Sequence, residues 1–176
     1  MRRLAKTRNG AFLIQPRWPE REVVISETAY ERLKAAQIRL NVYGIRLAVT
    51  RGVERQGPWF RNDRRIARKI GGWLFRALYP SRSGEIGDIF SPNGHDRDGN
   101  AVDLRIVESD KVLSLLPYGV FTPKATIACL QNTHEHALNL VRQALESAGF
   151  SIQANVTEAM QIHCDVKDMT DARQTA

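Results

Sequence analysis

A chain of 176 residues that is 43% hydrophobic and 26% charged can bury one ordinary core, which excludes a wholly disordered polymer and makes a single domain the natural expectation. No apolar run approaches the ~20 residues that a membrane crossing needs, and the basic start MRRLAKTRNGAFLIQP carries an apolar part of only Ala11 to Ile14, too short for a secretory leader. Location is therefore expected to be cytoplasmic as synthesised, with action on a cell wall only after release. The net charge of +7 divides into +12 over residues 1–76 (18 Lys/Arg, 6 Asp/Glu) and −5 over residues 77–176 (8 and 13), so the front half is suited to an anionic partner: cell-wall polymer, nucleic acid or a membrane surface.

Residues 1–22, basic and holding Pro16 and Pro19, read as an arm that is extended or lies along the surface. Ser26 is a good N-cap for a helix whose apolar positions are Ala29, Leu33, Ala36 and Leu40, with Gly44 placed for a left-handed cap. Ile45 to Thr50 (IRLAVT) reads as a strand ending at Arg51-Gly52. Residues 54–69 mix Arg55, Arg61, Arg64, Arg65, Arg68 and Lys69 with Trp59 and Phe60. Aromatics among arginines can stack on bases while the cations meet phosphates. The plainer reading is a helix with Ile66, Ile70, Trp73 and Leu74 turned inward. Pro80 to Gly87 reads as a loop, 101–107 as a strand, and 108–123, with Pro117 and Pro123, as irregular.

A second helix is predicted from a cap at Asn132 or Thr133, with Leu138, Val141 and Leu145 in its buried stripe and Gly149 as its stop. Phe150 to Val156 alternates like a half-buried strand, and Ala159 to Val166 is a second apolar-polar piece that carries His163. The polar tail from 168 to 176 is expected to fray. With only Cys129 and Cys164, and no metal-type spacing between them, buried free thiols are expected rather than a disulfide.

Chemistry concentrates in Ser91 to Leu104, SPNGHDRDGNAVDL. His95 lies in a loop rich in Gly, Asn and Asp, and Asp103 stands at the mouth of the strand AVDLRIV. A nitrogen and oxygen pair of this kind suits zinc, and a catalytic zinc takes three protein ligands and keeps one open position. The third ligand is sought among His134, His136 and His163, the other histidines of the chain. The first two lie two apart at a helix start and cannot share one helix face. Asp96 to Asn100 also has the look of part of a calcium loop, without the alternating carboxylates and distal Glu of an EF-hand.

GH…GNAVDL, a later helix ending in AGF, and then a strand carrying a histidine together resemble the zinc D-alanyl-D-alanine carboxypeptidase and dipeptidase family. That family includes the vancomycin-resistance D-Ala-D-Ala dipeptidases and the L-alanyl-D-glutamate endopeptidases of phage lysins, and is related in fold to the Hedgehog signalling domain. Its motif S-x-H-x-x-G-x-A-x-D is met by His95, Gly99, Ala101 and Asp103, with Asn93 in the serine position and one extra residue before Gly99. Its E-x-x-H or D-x-x-H strand is met by TEAMQIHCDV, with Met160 in the place of the acid.

The resemblance implies a single α+β domain over 23–167, with a small antiparallel sheet packed against helices. It implies a zinc ion held by His95, Asp103 and His163. Glu158 is the candidate base, and Arg55, from LAVTRGVER, the candidate electrophilic partner. The implied activity is hydrolysis of a peptide bond in peptidoglycan stem peptides or their precursors. Two alternatives stand beside it: a catalytically inactive family member serving as a binding or structural module, and a basic nucleic-acid-binding protein.

Overall fold

The computed structural model describes residues 1–7, 10–18, 20–53, 58–90, 98–152, 160 and 162–167, the side chains of 58–65 and of 88 excepted. The basic N-terminal segment is woven into the fold rather than laid over it. Strand β1 (Arg2–Ala5) pairs antiparallel with β3 (Glu22–Ile25), and between them β2 (Leu13–Ile14) enters the main sheet. The anchor is apolar: Phe12, Leu13 and Ile14 are all buried, and removing such side chains from water offsets the entropy of ordering a charged segment.

Helix α1 (Glu27–Asn41) begins where expected, with Ser26 Oγ accepting from Ala29 N at 3.0 Å. Gly44, at φ 68°, turns the chain into β4 (Ile45–Arg51). Helix α2 (Pro58–Leu78) follows, then a 3-10 turn over Pro80–Glu85 and the short α3 (Ile86–Ile89), where a loop was expected. Strand β5 (Ala101–Glu108) and β6 (Lys111–Val112) form a hairpin whose two turn residues, Ser109 and Asp110, both have positive φ, as the favoured two-residue hairpin turn requires. The expected irregular stretch thus starts with a hairpin. The late helix is two helices, α4 (Lys124–Thr133) and α5 (Glu135–Ser147), separated at His134. Its cap is therefore neither Asn132 nor Thr133. Strands β7 (Phe150–Ile152) and β8 (His163–Val166) complete the described chain.

The class is α+β, as expected. The main sheet differs from expectation in being mixed: in the order β2-β4-β5-β8-β7, with β6 on β5, the β2–β4 pair is parallel. A separate two-stranded sheet holds β1 and β3. Helices α1 and α5 cover one face of the main sheet, where Leu33, Leu40, Leu47, Val49, Val102, Leu104, Ile106, Leu145 and Cys164 share one core. Because side chains alternate across a strand, residues 101, 103 and 105 of β5 and residues 163 and 165 of β8 fall on the opposite face. That face carries the candidate chemistry.

Helix α2 reverses the expectation for its apolar positions. Ile66, Ile70, Trp73 and Leu74 are exposed, and the buried positions are Gly72 and Phe75. Phe75 packs instead with Tyr79, Phe90 and Phe121, apart from the main core. Cys164 is buried and Cys129 is exposed, both free thiols. Burial pushes the Cys164 thiol well up from its ordinary range, with the nearby carboxylates of Asp165 and Asp103 adding to the effect. In the described residues no helix is long and apolar enough to cross a membrane.

Candidate functional site

Three adjacent strands bring three ionisable side chains into one row. Antiparallel pairing sets Asp103 of β5 opposite His163 of β8, and Arg51 of β4 opposite Asp103. Cross-strand partners have Cβ atoms about 4.5–5.5 Å apart, close enough for short polar side chains to meet. His163 Nδ1 and Asp103 Oδ1 are 2.8 Å apart, both residues buried. Arg51 reaches the other carboxylate oxygen, Oδ2, at 3.8 Å, and His163 Nε2 lies 3.8 Å from Asp165 Oδ1.

A register shift between Val49 and Arg51 produces this row. Val49 points into the helix-covered core, so strict alternation would send Arg51 the same way. The bulge adds one residue and turns Arg51 to the face of Asp103. Thr50, at the shift, is buried and donates its hydroxyl to the Asp103 carbonyl at 3.1 Å. Immediately before β8, Ile162 has φ 52°. A β-branched residue rarely adopts this conformation, and it costs roughly 1–3 kcal/mol. The strain sits one residue from the imidazole.

A cavity of about 360 Å³ opens beside Asp103, with Thr50, Arg17, Arg105 and Met160 in its lining and residues 112–117 along its side. Its size lies at the small end of ligand pockets. Met160 is buried there and contributes a thioether where the resembling family keeps an acid.

Of the five side chains singled out from the sequence, Asp103 and His163 are brought together. His95, Arg55 and Glu158 lie outside the described residues, as does most of the calcium-loop stretch. His134 is half-buried at the α4–α5 junction and His136 is exposed on α5. Among the described residues no group of three His, Cys, Asp or Glu gathers as a metal cluster. Sequence reasoning missed Arg51 and Asp165. The spacing of His163 and Asp165, two apart on a strand, is a signal for a shared face; Arg51 is hidden by a bulge that no motif announces.

The donor set of Asp103 and His163 fits zinc. Two ligand atoms on one tetrahedral zinc stand about 3.4 Å apart, given bonds of about 2.0–2.2 Å. The 2.8 Å contact would have to open only modestly. With Nδ1 turned to the Asp103 carboxylate, Nε2 lies on the side of Asp165, 3.8 Å from its Oδ1 and beyond hydrogen-bond reach.

Compared with protein-family models, with curated proteins and with solved structures, the chain finds no match.

Proposed function

We propose that the chain is a zinc-dependent peptidase acting on peptidoglycan stem peptides, at a bond of the D-Ala-D-Ala or L-Ala-D-Glu type, with zinc held by His95, Asp103 and His163. One observation carries the reading: two of the three side chains named from the motif, 60 positions apart in sequence, meet at 2.8 Å on neighbouring strands. When bound, zinc supplies a Lewis acid that polarises a carbonyl and makes water acidic enough to lose a proton near neutral pH.

The chain's own residues have separate tasks. Asp103 and His163, set on neighbouring strands, would hold the ion. Arg51 stands 3.8 Å from the outer oxygen of Asp103 and Asp165 3.8 Å from Nε2 of His163, near enough to act on both groups through charge. Glu158 takes the proton and hands it to the leaving amine, a contribution of ~10²–10⁴ in rate. Arg55 meets the developing negative charge on the substrate. The cavity beside Asp103 receives the peptide, and Arg17 and Arg105 in its lining suit an acidic stem peptide.

The buried thioether of Met160 favours a second reading, a family member that keeps the metal and has lost hydrolysis. Metal analysis of the purified protein, followed by hydrolysis of purified peptidoglycan, separates the two. The enzyme should carry one zinc that His163→Ala and Asp103→Ala remove. Glu158→Gln should retain zinc and lose hydrolysis. Zinc without hydrolysis in the wild type supports the inactive member. An unchanged zinc content in His163→Ala overturns both.

A further inference from the structure

We propose that the outer face of α2 docks on the surface of an anionic lipid bilayer. The helix is 21 residues long, about 31 Å at 1.5 Å per residue. It is attached along one stripe: Gly72 and Phe75 are buried, and Tyr79 donates its hydroxyl to the Phe121 carbonyl at 2.7 Å. Gly71 and Gly72 let the helix approach Phe90 and Ile86 closely; a Cβ at Gly71 would stand 2.7 Å from the Phe90 ring.

The opposite side is a continuous apolar stripe in water. Ile66, Ile70, Trp73 and Leu78 are 57%, 54%, 69% and 62% exposed, and Leu74 lies beside them. Ile66, Ile70, Leu74 and Leu78 follow at four-residue steps and Trp73 stands three after Ile70, which gathers them along one side of a helix, where a globular protein ordinarily keeps its core contacts. Exposed Lys69 and Arg76 fall within the same span, and the helix sequence holds six Arg/Lys against one Asp.

Charge selects the occupant. A second copy would set this cationic helix against itself, and like charges oppose that approach. Nucleic acid would use the cations but leave Ile66, Ile70 and Leu78 without a purpose. A protein groove that grips a helix needs more of its circumference than the attached α2 offers. A planar anionic surface needs only one side: aliphatic side chains enter the acyl boundary, an indole rests at the headgroups, and Lys and Arg reach the phosphates.

The test uses the full chain and vesicles of phosphatidylcholine alone or with phosphatidylglycerol, in co-sedimentation at near-physiological salt. Binding to the anionic vesicles is expected, with at least a tenfold weaker partition for Ile70→Glu/Trp73→Glu and a smaller loss for Lys69→Glu/Arg76→Glu. Both sites of the first variant are exposed, so its thermal unfolding should match the wild type. In a Trp18→Phe/Trp59→Phe background the emission of Trp73 should shift to the blue on binding. No vesicle binding, equal binding to neutral and anionic lipid, or a concentration-dependent dimer that buries Trp73 without lipid overturns the proposal. So does DNA binding that survives Ile70→Glu/Trp73→Glu in a protein that ignores vesicles. Zinc content is read separately and plays no part in these outcomes.

Discussion

Gln37 illustrates how one buried polar side chain fixes a junction. It is almost wholly buried; its amide nitrogen donates to Asn41 Oδ1 at 2.7 Å and to the Ile45 carbonyl at 2.9 Å, and its oxygen accepts from Leu47 N at 2.6 Å. It closes the backbone where α1 gives way to β4, the strand that presents Arg51. Gln37→Leu keeps the volume and strips two backbone groups of their partner. At roughly 1–3 kcal/mol for each buried group left bare, urea denaturation should show a loss of about 2–6 kcal/mol. Its place on an otherwise apolar helix stripe gave no hint of this. Asp103 and His163 were legible for a different reason: their neighbours in sequence form motifs, whereas the partners of Gln37 are carbonyls and amides, which no motif encodes.

Elements were readable where local chemistry and burial agree. Ser26, the 29-33-36-40 stripe and Gly44 define α1 because cap, periodicity and turn all specify one answer. Helix α2 was readable as a helix but not in its orientation, since periodicity reports that a face is apolar and not what covers it. The β4 bulge was illegible because the extra residue is defined only by its partner strand. Gly52 shows how tightly that end of β4 is built. A Cβ there would collide with the Val24 carbonyl oxygen and stand 2.7 Å from Ile25 Cγ2, while Val53 N donates to the same carbonyl at 2.7 Å. Gly52→Ala must push β3 and β4 apart next to Arg51. Overpacking of this kind costs typically ~1–3 kcal/mol, and a lowered urea midpoint should report it. In the zinc reading the same variant weakens metal retention, because the strand end that steadies Asp103 has moved.

Beyond single strands and helices, α2, α3 and the 119–122 segment are joined by a cluster centred on Arg82. Its guanidinium is buried, bonded to both oxygens of Glu85 and to the Thr122 carbonyl, and lies over the Phe75 ring. The Arg82 hydrogen bonds, aided by its charge and by Lys124, hold the Glu85 carboxyl below the ordinary glutamate range, against the opposing effect of partial burial. Since the folded value is the lower one, the contribution of Glu85 to stability is fully present above the unfolded value of about 4.3 and disappears as pH falls through the folded value. Thermal unfolding of wild type against Glu85→Gln should therefore show a gap that is constant near neutrality and narrows below about pH 4. A gap that widens in acid would contradict this sign.

Strand β5 is bonded along one edge to β4 and along the other to β8 and β6, whereas α2 rests chiefly on a 3-10 turn and α3. Cooperative units open in the order of how little they hold. Amide protons of Leu104 and Ile106 should thus be among the last to trade for deuterium, long after those of residues 66–74. The peripheral helix can come away and return while the row from Arg51 to His163 stays intact, so whatever α2 touches can tug on it without disturbing the chemistry behind.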